Sequence, residues 1–372
     1  MKRKVLSVIM AATMAFSLAA CGSSSDNGND GKAESQGEKQ ESGANANANE
    51  NEGQESGADE NGGQETAADA NDGQNTSGET YKIGICQLVQ HDALDAATKG
   101  FKDALIELCG EDGVTFDEQN AQNEHNMCAT IINQFVSDNV DLILANATDP
   151  LTTAATATAD IPIIGTSVTD YATALQIDDW KGSTGINVSG TSDLAPIDEQ
   201  EAMLKELLPD AKTVGVLYCS AEPNSKYQAE LFEAALEKDG IQYKEYTAAD
   251  SNEIQTVVTS AVSEVDAIYV PTDNTMAASA DIVKNICVPA GIPVVAGEQG
   301  ICLGCGIATL SISYYDIGYK AGEMAYDVLA NGADIKTMDI EFAPNITKMY
   351  NKEICEELNI TVPEDYEAIA TE

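Results

Sequence analysis

Thr166-Ser167, Asn146 with Thr148, Asp273 and Glu298 share one setting: each stands at the polar end of a short apolar run. Hydroxyls beside a helix start can hold a carboxylate together with backbone N–H groups. Acids in the same setting can receive an ammonium, and Asp193 joins Asp273 and Glu298 in that role. The set therefore offers both halves of a zwitterion site. Each residue also has a plainer use. Thr166 and Ser167 can cap the segment that follows, Asp273 can cap the helix beginning TMAASAD, and Glu298 can pair within its own half of the chain.

Loops after other apolar runs add Gln87, His91 and Leu94, then Thr191 beside Asp193, Asn224 in Ser220 to Lys226, and Thr272 before Asp273. Tyr218 and Tyr314 either line an apolar part of such a site or sit on its rim. Positive charge is scarce. Arg3 is the only arginine and belongs to the N-terminal leader, and Lys226 is the single lysine in these loops. Bidentate guanidinium recognition of phosphate or a dicarboxylate is thereby excluded.

Catalytic motifs are absent: there is no GxSxG, no phosphate-binding P-loop and no HExxH. A hydrolase using Asp273 or Glu298 with His91 is the enzymatic reading that remains, and it is the weaker one. Cys302-Leu-Gly-Cys305 is the one CxxC; with His91 and His125 the only histidines it lacks the second pair that zinc wants. Neither a metal nor a cofactor is expected.

These residues must be held by a repeated scaffold. Val140 to Val168 and Val265 to Gly300 run in parallel: an acid, a buried apolar run, small polar residues, an alanine-rich helix, then Ile-Pro into another apolar run, IPIIG or IPVVAG. Upstream of each lie an amphipathic helix, GVTF or GIQY, another helix, and KIGICQL or TVGVLYC. The pattern β-α-β-α-β-α-β, twice, predicts two similar doubly wound α/β lobes with parallel sheets. Ligands of such sheets bind outside the carboxyl ends of the strands. The site is expected between the lobes.

The N-terminus reads differently. Met1 to Cys21 has a basic start, an apolar run too short to span a membrane, and Leu18-Ala19-Ala20-Cys21, the lipobox pattern of a bacterial lipoprotein. Cys21 would carry lipid. Residues 21–80 hold 14 acids against two lysines and almost no large apolar residue, the composition of an extended tether. The formal charge is −43; the tether contributes −12 and the leader +3, leaving −34 for the remainder. Such a surface disfavours nucleic acid as a partner.

QLVQHDALDAATKGF, IPIIGTSVTDY, NVSGTSD, PTDNT and ISYYDIGYKAG together resemble the ABC substrate-binding lipoproteins of the tryptophan/tyrosine type, with the type I periplasmic-binding-protein fold. The resemblance covers Tyr81 to about Tyr350. It implies a monomer that delivers its ligand to ABC permease and ATPase subunits, and an aromatic or large apolar amino acid as that ligand. It also implies three crossings between lobes, near Ile186 to Gly190, Leu310 to Ser313 and Phe342 to Asn345. The expected division is then 1–20 leader, 21–80 tether, 81–188 with 312–342 as one lobe, and 189–311 with 343–372 as the other. A nucleoside- or sugar-binding lipoprotein of the same fold is the alternative; sugar is disfavoured because only 5% of the chain is aromatic.

Overall fold

The computed structural model describes residues 80–370, so Cys21 and nearly all of the tether lie outside it. The first half runs β1 (Tyr81–Gln87), α1 (Asp92–Cys109), β2 (Val114–Asn120), α2 (His125–Ser137), β3 (Leu142–Asn146), α3 (Thr148–Ala157), β4 (Ile163–Val168), α4 (Tyr171–Ala174) and β5 (Val188–Ser192). The second half repeats it: α5 (Ile197–Leu207), β6 (Thr213–Cys219), α6 (Pro223–Asp239), β7 (Gln242–Ala248), α7 (Ile254–Ala261), β8 (Ala267–Val270), α8 (Asn274–Ala277), α9 (Ala280–Ala290), β9 (Val294–Ala296), α10 (Gln299–Cys305) and β10 (Ala308–Ser311). Then follow α11 (Tyr314–Leu329), β11 (Glu341–Phe342), β12 (Thr347–Tyr350), α12 (Lys352–Leu358) and β13 (Glu367–Ala368).

The strands fall into two sheets, ordered β11-β5-β4-β3-β1-β2 and β13-β12-β10-β9-β8-β6-β7. Among the described residues all strand pairings are parallel except β10 with β12. Central strands such as β3 and β8 are buried along their whole length because helices cover both faces. Their continuous apolar runs follow from that. Within each sheet the first five strands take the order 2-1-3-4-5, so strand order reverses between β1 and β3 in one lobe and between β6 and β8 in the other. A doubly wound sheet opens its ligand crevice at that reversal.

The chain leaves the first sheet after Ser192, returns between Ser311 and Tyr314, and leaves again between Phe342 and Thr347. The first passage lies beyond the Ile186 to Gly190 indicated by the sequence. The reason is that β5 stays paired with β4 up to Ser192, across a register shift between Gly165 and Val168.

The return passage is fixed by a close helix crossing. On α11, Gly318 packs so tightly that an added Cβ would stand 2.0 Å from the Ala97 carbonyl oxygen on α1. From the opposite side, a Cβ at Gly100 would stand 2.1 Å from the Tyr315 carbonyl oxygen. Backbone meets backbone here, with Phe101, Ala321 and Met324 filling the core beside it.

Candidate functional site

Two backbone strains mark the first lobe's strand ends. Ala147, between β3 and α3, has φ 102°, and Ser167, at the end of β4, has φ 55°. Neither is glycine, and strain of this kind concentrates where a site demands it. Ala147 cannot cap, so α3 begins with no side chain on its first N–H groups. The N–H groups of Thr148 and Asp149 are left without a cap; Pro150 has none to offer, and the Asp149 carboxylate sits in the same turn.

Buried polar atoms without a partner among the described residues lie at the same edge. They include Asn146 Oδ1, Ser167 Oγ and His91 Nδ1. The Asn146 amide cannot be turned round, because its Nδ2 donates to the Leu94 carbonyl at 2.8 Å and to Thr98 Oγ1 at 2.9 Å. Its oxygen is therefore fixed as an acceptor. An unmade hydrogen bond of this kind costs about 1–3 kcal/mol, which a ligand group can recover.

Between the two strand-order reversals lies a cavity of about 520 Å³. Leu88, Asn123 and Thr148 line it from the first lobe, and Cys219, Pro223 and Asn224 from the second. Of the residues singled out from the sequence, Thr148 and Asn224 line this cavity, and Glu298 and Tyr314 line a further one of about 430 Å³ at the hinge.

Asp193 has a distinctive setting. It is buried, accepts from Thr169 Oγ1 at 3.0 Å and from the Tyr314 hydroxyl at 2.9 Å, and pairs with no lysine among the described residues. Burial pushes its carboxyl above the usual range, while the two hydroxyls and nearby His91 pull it down less strongly. Burial and the Asp193 charge push the Tyr314 phenol well up in turn, so it stays a donor.

The structure corrects several expectations. Asp273 accepts from Met276 N at 2.8 Å and Cys219 N at 2.7 Å, and Glu298 from Gly300 N at 2.6 Å and Ile301 N. Both are helix caps, the plainer reading, because α8 and α10 start in the second lobe's interior and need their first donors satisfied. Burial raises both carboxyls; for Asp273 the neighbouring Glu222 adds to it. Thr166 and Thr191 lie 3.0 Å apart, and Thr191 also reaches the Ile317 carbonyl of α11, so this pair ties helix to sheet. Gln87 is held by Thr98 and Asp95. Leu94 is core. Tyr218 packs in the second lobe's core and donates to Glu245, since its neighbour Cys219 takes the cavity-facing side of the alternation. Thr272 and Asn224 stay at the cleft, linked by an Asn224 Nδ2 to Thr272 carbonyl bond of 3.3 Å.

His91, expected at the site, and several residues not anticipated bridge the lobes. His91 Nε2 lies 3.2 Å from Asn274 Oδ1, Asn123 Nδ2 donates to Thr275 Oγ1 at 2.9 Å, and Gln228 Nε2 donates to Thr169 Oγ1 at 3.4 Å. Isolated amides, in a loop (Asn123) or on a helix (Gln228, Asn274), carry no sequence signal of this kind.

Comparison with known proteins agrees with the geometry. A tyrosine-binding protein of Clostridioides difficile is 41% identical over 249 residues, 66% of this chain and 72% of that one. A Streptococcus pneumonia ABC domain in complex with L-Trp is 35% identical, with TM-score 0.74 over 77% of this chain and 97% of the other. A substrate binding protein with adhesive properties from Clostridium difficile, in its ligand-free, open structure, is 38% identical over 79% of this chain and all of the other, with TM-score 0.62. The polar bridges between the lobes show them in contact across the cleft in this structure. The model of the ABC transporter substrate binding protein family matches residues 82–372. The chain belongs to that family, whose members are extracytoplasmic solute-binding proteins and not enzymes.

Proposed function

We propose that the protein captures an aromatic L-amino acid, tyrosine or tryptophan, in the cleft between its lobes and presents it to an ABC permease. The observation that carries this is the matched pair of sites at the first lobe's strand ends. Ser167 Oγ and the uncapped start of α3 at Thr148 offer donors to a carboxylate, and Asn146 Oδ1, His91 Nδ1 and Asp193 offer acceptors to an ammonium. Of these residues only Thr148 lines the cavity, where Leu88, Ala174 and Pro223 supply apolar wall for a ring. The similarity to a tyrosine-binding protein and to an L-Trp complex supports the same class.

Titration calorimetry on the mature protein tests this. L-tyrosine or L-tryptophan should bind with one-to-one stoichiometry, and Ser167→Ala should weaken binding by about tenfold, the worth of one neutral hydrogen bond. Decarboxylated analogues should be tolerated better than deaminated ones, because the carboxylate meets only neutral donors. Tight binding of a nucleoside or sugar with no response to aromatic amino acids would overturn the assignment.

We further infer that Cys21 is acylated and holds the protein at the outer face of the cell membrane, the tether giving the folded part reach. Cys21→Ala should abolish labelling by a fatty-acid probe and release the protein or leave it with its leader attached. Undiminished labelling would contradict this.

A further inference from the structure

Glu222 stands directly before α6, in the N-cap position, yet its side chain makes no hydrogen bond to that helix's first N–H groups. It crosses instead to the start of α8. There it accepts from Asn274 N at 3.0 Å, Asn274 Nδ2 at 2.8 Å, Thr275 N at 2.8 Å and Thr275 Oγ1 at 2.7 Å. The carboxylate is buried, with only 7% of the residue exposed. Asn224 Nδ2, on α6, adds a fifth donor at 3.3 Å. The arrangement does more than satisfy a helix start, since two of the α8 donors belong to side chains that reach the other lobe.

The polarity of both side chains follows. Asn274 must point Nδ2 at Glu222, so its Oδ1 faces His91 and the imidazole donates from Nε2. Thr275 must give its hydroxyl proton to Glu222, so its oxygen is left to accept from Asn123 Nδ2. One buried carboxylate thus presents two aligned acceptors to two donors on the opposite lobe. We propose that Glu222 is the positioning residue of this two-point clasp, and that the clasp holds the closed state and sets how long ligand stays bound. The proposal rests on the cleft being the ligand site but not on which amino acid fills it.

The test uses the full mature chain. In stopped-flow measurements with L-tyrosine, Glu222→Gln should raise the dissociation rate about tenfold and leave association within about twofold, since closure follows encounter. The amide introduced by that change cannot accept from all five donors, so the acceptors that Glu222 positions are misdirected. Asn123→Ala should act in the same direction. Because Asn123→Ala removes one of the two contacts that Glu222 positions, the double variant should show less than the product of the two single effects; a purely local role in folding α8 would instead multiply them. Unchanged dissociation in both single variants, or fully multiplicative effects, overturns the clasp. Should Glu222→Gln fail to fold, Asn274→Ala, which removes the acceptor offered to His91 and does not line the cavity, carries the same measurement. If the parent does not bind L-tyrosine at all, the amino-acid assignment fails separately. Small-angle scattering of parent and variants then reads the clasp without ligand, and identical profiles would reject it.

Discussion

Asp193→Asn is expected to remove most amino-acid binding while making the ligand-free protein melt higher. The two effects share one cause. Asp193 is a buried carboxylate whose side-chain partners are hydroxyls, and burial raises its pKa. In the proposed site the ligand ammonium would supply the missing counter-charge. Without the acid, a desolvated ammonium is left facing neutral groups, a loss of about 2–5 kcal/mol. That corresponds to about thirtyfold or more in dissociation constant. In the ligand-free state the sign reverses. A carboxyl whose folded pKa lies above its unfolded value favours folding most below the unfolded pKa, and that contribution is lost as pH rises through the raised folded value. Asparagine has nothing to ionise. The variant should therefore gain melting temperature over the parent near neutral pH and lose that advantage below about pH 4, the unfolded range for Asp. The same shift predicts that the parent binds more weakly as pH falls through the raised pKa, because the acid must ionise to meet the ammonium. Calorimetry and thermal melts across pH on both proteins check all three points. Parent-like affinity in the variant would move the ammonium contact elsewhere in the cleft.

Gly318→Val should be among the most damaging single changes in the folded part. Its new Cβ would stand 2.0 Å from the Ala97 carbonyl oxygen, a backbone atom with no rotamer to escape into. Extra atoms in a packed core cost about 1–3 kcal/mol when side chains can adjust, and this site lies at or beyond the upper end. At about 2–4 °C per kcal/mol for a protein of this size, a fall of about 6 °C or more in melting temperature is expected. Gly332, exposed after α11 with nothing within 4 Å of an added Cβ, has φ 68° and supplies the contrast: Gly332→Ala should cost only local strain. A melt unchanged by Gly318→Val would mean that α11 can lift from α1 without cost.

The fold was largely legible because the sequence states it twice. KIGICQL and TVGVLYC became β1 and β6, and the Ile-Pro steps became the entries to β4 and β9. Fully buried strands leave an unbroken apolar run, a signal that survives without structure. The site was legible only as a set of loops. Asp273 and Glu298 were open to confusion because an acid that caps a helix and an acid that meets a ligand occupy the same position at a strand end. Ser167 and Asn146 differ from Thr166 and Gln87 only in whether their polar atoms already have partners, and those partners come from other segments of the chain. Glu222 gave no signal because an acid before Pro223 reads as an ordinary helix start, whereas its side chain serves another helix.

The crossing of α1 with α11 also bears on how the chain reaches its folded state. Asp103 and Tyr315, joined by a hydrogen bond of 3.0 Å across this crossing, are 212 residues apart in sequence. Contacts of such long separation slow folding, because a large loop must close before they contribute. A chain exported N-terminus first would present α1, with its apolar Ala97, Phe101 and Ala104 face, long before α11 emerged to cover it. Completion of the first lobe therefore waits for synthesis and passage of the second. Until then the apolar stripe stands open to solvent, an aggregation hazard and a natural hold point for a chaperone on the outer side of the membrane. The helix that makes the return crossing is in this sense a late step of assembly, followed in the first lobe by β11, and truncations from α11 onward should leave insoluble protein.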